Sequence, residues 1–69
     1  MIDTKRLKSK IVLSGMTQRS LAEAVGMSVN TLNSKINGSS SFRCDEVEAI
    51  CNTLGIDSAE EKLGIFFAN

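Results

Sequence analysis

Apolar residues recur along this chain at helical spacing and show no sustained alternation. Leu7 and Ile11 stand four apart with Lys5, Lys8 and Lys10 around them, which predicts a first helix from an Asp3 or Thr4 cap to about Ser14. Leu21, Ala22 and Val25 form the inward stripe of a second helix, Gln18 to Val25, behind Thr17 as cap. Leu32 and Ile36 pair on a third, about Val29 to Asn37, capped by Ser28. Val47, Ile50, Cys51 and Leu54 follow the i, i+3, i+4, i+7 pattern of a fourth, about Asp45 to Leu54, and its early acids suit the positive end of the helix dipole. Ser58 followed three residues later by Glu61 has the capping-box pattern, so a short fifth helix or single turn starts there, ahead of a strongly apolar tail, residues 63–69. The single glycines 15, 26, 38, 55 and 64 read as punctuation between helices, and proline is absent. The expected fold is all-α, four to five helices in one domain spanning residues 1–69.

Residues 17–38 concentrate the chemistry. Two short helices meet at a corner with a small residue, Ala22, where they cross and a residue able to turn tightly, Gly26, between them. Leu21, Val25, Leu32 and Ile36 supply the apolar wedge that sets the angle, the requirement of a helix-turn-helix. Once that stripe is turned inward, the outer face of the third helix carries Val29, Asn30, Asn33, Ser34 and Asn37. These residue types suit the DNA major groove: Asn pairs bidentately with adenine, Ser donates or accepts, and valine methyls can meet a thymine methyl. Val29, Asn30, Asn33 and Ser34 are the candidate base readers. Gln18 and Arg19, in the first turn of the second helix, are placed to reach phosphate, and Lys35, Asn37, Ser40 and Arg43 flank the other edge of the groove. Thr17 and Ser28 are read as caps, and Phe42 as an apolar plug beneath the fourth helix.

Composition narrows the options. A chain of 69 residues buries only about 60% of the surface its unfolded form exposes, so its stability should be modest. No apolar run approaches the roughly 18 residues of a membrane span, nothing resembles a leader segment, and a soluble, intracellular protein is expected. Cys44 and Cys51 fall in one helix about 10 Å apart along its axis, too far for a disulfide, and with no histidine a metal site is not expected. Net charge is zero, yet residues 1–43 carry +5 and residues 44–69 carry −5, which suggests a basic face for a polyanion and an acidic face turned away from it.

With those residues in place, Thr17 to Gly38, including Gln18, Ala22, Gly26, Leu32 and Asn37-Gly38, resembles the helix-turn-helix of the phage repressor and Cro class. The whole chain, from its basic first helix through Phe42 to Phe66-Phe67, is similar to short Cro-like regulators of phages and prophages of Gram-positive bacteria. The resemblance implies a lambda-repressor-like DNA-binding domain acting in the bacterial cytoplasm, base contacts from Val29, Asn30 and Ser34, and phosphate contacts from Gln18 and Asn37. In one respect the chain departs from the class, which often has an aliphatic residue three after the Leu32 position. Here Lys35 stands there and Ile36 fills in, which keeps Asn33 among the readers.

The class binds pseudo-palindromic operators as two-fold dimers with half-sites about one helical turn apart. A weak or DNA-dependent homodimer is therefore expected, with Phe66 and Phe67 as interface candidates. A rival reading keeps the fold but gives it a protein partner: a modulator or antirepressor that binds another repressor through its acidic half or its C-terminal tail. An enzyme is not expected, since no histidine, paired nucleophile and base, or phosphate-cradling glycine loop is present, and no cofactor is implied.

Overall fold

The computed structural model describes residues 1–68, and there five helices follow one another: α1 (Thr4–Leu13), α2 (Gln18–Ala24), α3 (Val29–Ile36), α4 (Cys44–Leu54) and α5 (Ala59–Phe66). Side-chain caps start four of them. The Asp3 carboxylate accepts the Arg6 N–H at 3.1 Å, Ser28 Oγ accepts that of Thr31 at 3.1 Å, and Ser58 Oγ accepts that of Glu61 at 3.0 Å. Thr17 and Ser20 cap α2 reciprocally, each hydroxyl accepting the other's backbone N–H. Such bonds satisfy amides that have no partner inside the helix.

The stripes anticipated from spacing form the core, except that Val25 is only half-buried and packs against it. Leu7, Ile11, Leu21, Ala22, Leu32, Ile36, Val47, Ile50, Cys51 and Leu54 are all buried. α2 and α3 pack most intimately, α2 also contacts α4, and α5 closes against α1. Gly26 makes the corner between α2 and α3 with φ +73°, a left-handed conformation that glycine adopts without the steric cost other residues incur. Two long-range bonds tie the ends of the chain to this core. The Asp3 N–H donates to the Ile65 carbonyl at 2.7 Å, and the Thr4 hydroxyl donates to the Ile36 carbonyl at 2.7 Å, occupying an acceptor at the C-terminus of α3.

Four expectations change. The apolar tail is helical: α5 runs on through Phe66, which buries Ile65 completely and Phe66 to 6% exposure. Phe66 meets Phe42 edge to face with ring centroids 5.5 Å apart, so it belongs to the core and leaves the list of interface candidates. Phe67 stays 55% exposed, and Asn69, the last residue of the anticipated tail, lies outside the described residues. Gly64 is not punctuation. It lies inside α5, where the Arg6 guanidinium from α1 rests against it. Ser58 caps α5, but the Glu61 carboxylate that would complete the reciprocal box is drawn across to Lys10 at 3.0 Å. Ile56 is a further core residue, buried in the short α4–α5 connection where no periodicity marks it.

Leu32 is fully buried at the heart of the α2–α3 wedge. Leu32→Ala should cost about 2–5 kcal/mol, a large part of the roughly 3–10 kcal/mol expected for a domain this size. Val12→Ala, on a side chain 71% exposed, should cost no more than about 0.5 kcal/mol. Urea unfolding of the two variants measures the difference.

Candidate nucleic-acid interface

Burial of Leu32 and Ile36 fixes how α3 is turned about its axis, and the face opposite them is what the molecule presents. Asn30, Ser34 and Asn37, at i, i+4 and i+7, are exposed along that face. Asn33 and Val29 sit on its flanks, half-buried, with Val29 packed partly against the core. Among the described residues the side chains of Asn30, Asn33, Ser34 and Asn37 make no internal hydrogen bond. Their amides and the Ser34 hydroxyl are therefore available to an outside partner. The Ser34 carbonyl accepts the N–H groups of Ser39 and Ser40 at 2.9 and 3.3 Å, which folds the loop after Gly38 back against the end of α3.

The residues expected at phosphate divide into two groups. Gln18 is half-buried and Arg19 exposed in the first turn of α2, while Asn37, Ser40 and Arg43 are exposed at the end of α3, in the loop and at the cap of α4. Arg43 lies 3.3 Å from the Asp45 carboxylate in a pair open to solvent, an arrangement worth little energetically and easily exchanged. Lys35 is differently placed. Its ammonium is turned off the outer face of α3 and held by both oxygens of Glu46, at 2.5 and 2.7 Å, with only 13% and 18% of the two side chains exposed. The departure from the Cro pattern at Lys35 and Ile36 thus resolves itself locally: Ile36 takes the core position, and Lys35 is neutralised by α4.

Glu46 organises this edge of the molecule, and only its place in the first turn of α4 hinted at such a role. Besides gripping Lys35, Oε1 accepts the Arg43 N–H at 2.8 Å, capping α4 where Arg43 itself has no side-chain acceptor to offer. The hydrogen bond from Lys35, aided by the Arg43 N–H, holds the Glu46 carboxyl below its ordinary range. No sequence motif links positions 35 and 46, since the contact depends on how α3 and α4 cross.

Charge is also distributed differently from the linear pattern. Lys10–Glu61, Lys35–Glu46 and Arg43–Asp45 each join a cation of the basic half to an acid of the acidic half. Three ion pairs therefore cross between the two halves, the last of them between near neighbours in sequence. Within the helix-turn-helix, Arg19 is the one cation without a carboxylate partner among the described residues. Groups able to hold a metal are absent among the described residues. No helix of the described residues is long and apolar enough to cross a membrane.

A polar reading face on the second helix of a rigid corner is the arrangement of a major-groove reader. Comparison with known families agrees: the model for the Cro/C1-type HTH DNA-binding domain matches residues 6–60, from the first turn of α1 into the first turn of α5. No curated protein and no solved structure matches the chain.

The grip on Glu46 has a consequence for acid stability. Its carboxyl is lowered in the folded state, so its stabilising contribution is complete above the unfolded value of about 4.3 and is lost as pH falls through the folded value. Glu46→Gln should flatten the fall in unfolding free energy on acidification from about pH 5 into that range. Urea titrations of both proteins across the range check this.

Proposed function

The chain belongs to the Cro/C1-type helix-turn-helix DNA-binding domain family, and from that premise we propose that it works as a Cro-like repressor of phage or prophage origin. In this reading it is a single DNA-binding domain in the bacterial cytoplasm that lays α3 in the major groove of an operator and blocks transcription by occupying it, without catalysis. The observation that carries the proposal is the outward row Asn30, Ser34 and Asn37, internally unpartnered, on a helix whose opposite face is fully buried. Asn30, Ser34 and the flanking Asn33 and Val29 read base edges. Gln18, Arg19, Asn37, Ser40 and Arg43 set the register against phosphate. Lys35 is left out of the phosphate set because Glu46 occupies it.

A domain this small covers a short half-site. Two copies related by a two-fold axis, bound about one helical turn apart, would give a pseudo-palindromic site long enough to specify. Phe67, exposed at the end of α5, is our candidate for meeting its counterpart in such a dimer.

Selection from a random DNA pool followed by mobility shifts tests the proposal. Asn30→Ala and Ser34→Ala should each cost about 1–3 kcal/mol at particular base pairs while leaving other positions of the site unchanged. Arg19→Ala and Arg43→Ala should weaken binding at all sequences and make the slope of log K against log salt shallower by about 0.9 each. Equal effects of all four variants at every sequence would remove the base-reading assignment. Absence of any shift at low salt would favour the rival role, an antirepressor that engages another repressor protein.

A further inference from the structure

The Lys35–Glu46 pair is the feature that the reading mechanism does not use. Lys35 lies on the edge of α3 between the reading face and α4, and its side chain lines the same groove as Asn37, Ser40, Ser41 and Phe42. A lysine at that edge, beside side chains assigned to phosphate, would ordinarily be a backbone contact. Instead both carboxylate oxygens of Glu46 hold its ammonium, largely out of solvent.

We propose that Glu46 is a specificity-determining residue: by withholding Lys35 from the phosphate backbone it keeps sequence-independent binding weak, so that base readout by α3 decides where the protein sits. The inference rests on the DNA-binding reading above. Its physical basis is that non-specific affinity comes almost wholly from cations that displace counterions from phosphate, each adding about 0.9 to the salt slope. Within α2, α3 and the loop leading to α4, the other cations are Arg19 and Arg43. Arg19 has no carboxylate partner, and Arg43 shares its charge with Asp45 across an exposed gap. One more lysine released at the groove edge would therefore be a large fractional change in phosphate binding and would raise affinity for every sequence alike.

Glu46 is suited to this task by its other bond. Because Oε1 also accepts the Arg43 N–H, the carboxylate is anchored to the first turn of α4 and cannot follow Lys35 outward toward a polyanion. The lowered carboxyl keeps it ionised through the neutral range. Glutamine at this position keeps the shape and an acceptor for the Arg43 N–H but removes the charge that holds the ammonium.

The test compares wild type, Glu46→Gln, and the double variant Lys35→Gln/Glu46→Gln. Each is titrated with a random-sequence duplex and with the tightest duplex selected by wild type, over a range of salt, and thermal melting establishes that each protein is folded. Glu46→Gln should bind the random duplex about three- to tenfold more tightly at low salt, steepen its salt slope by about 0.9, and narrow the ratio between selected and random DNA. The double variant should return to the wild-type slope. An unchanged slope in folded Glu46→Gln overturns the proposal, as does a double variant whose slope is shallower than wild type, since Lys35 would then already meet phosphate. Wild type that binds neither duplex overturns the DNA-binding reading itself, and the inference with it.

Discussion

What the outer face of α3 presents depends on the rotational setting of that helix, and that setting is a packing constraint. Leu32 and Ile36 have no solvent exposure, and between them they bury one stripe of an eight-residue helix against α2 and the rest of the core. A helix of two turns has little stability of its own in water, since nucleation is unfavourable and few hydrogen bonds follow it. α3 therefore exists as a helix, and faces the way it does, because its apolar stripe is held by tertiary contacts. The polar face needs no interaction to orient it: once Leu32 and Ile36 are inside, Asn30, Ser34 and Asn37 point outward by helical geometry.

Polar contacts then lock the ends of that helix. At its start the Ser28 hydroxyl caps it, and at its end the Thr4 hydroxyl takes the Ile36 carbonyl while the Ser39 and Ser40 amides fold back on Ser34. Glu46 fastens its flank to α4 through Lys35. In a chain too short for a second layer of core, such contacts from remote segments do what additional packing does in larger domains. Residues 4 and 46 reach α3 from elsewhere in the chain and residues 39–40 fold back from its own end, so α3 is braced by distant segments as well as by its immediate neighbours.

The sequence made the helices and the inner stripes legible because both are local or periodic signals. Thr17, Ser28 and Ser58 cap where spacing placed them, Asp3 is the one of the two candidates, Asp3 and Thr4, that caps α1, and the i, i+4 pairs Leu7–Ile11 and Leu32–Ile36 are buried as expected. What escaped were facts about two segments at once. Nothing near Lys35 says that Glu46 will lie beside it, nothing near Gly64 says that Arg6 will cross there, and Ile56 is a lone apolar residue in a connection. Phe66 was ambiguous for a related reason: a run of Leu63, Ile65, Phe66 and Phe67 has more apolar residues than one helix face can bury, and only the position of Phe42 selects which aromatic goes in. Charge along a chain likewise does not record which residues the fold will pair, as Lys10–Glu61 and Lys35–Glu46 show.

That pairing bears on how a neutral protein can belong to a DNA-binding family. Affinity for a polyanion can be raised cheaply by leaving lysines free, but that gain is shared by every sequence in the genome and does nothing for discrimination. A chain that instead commits Lys10, Lys35 and, loosely, Arg43 to its own carboxylates accepts weaker attraction overall. On the proposed reading, recognition then rests on the short amide and hydroxyl side chains of α3. If the proposal holds, the balance between attraction and selectivity is set within the fold, by which cations find an internal partner, before any DNA is met.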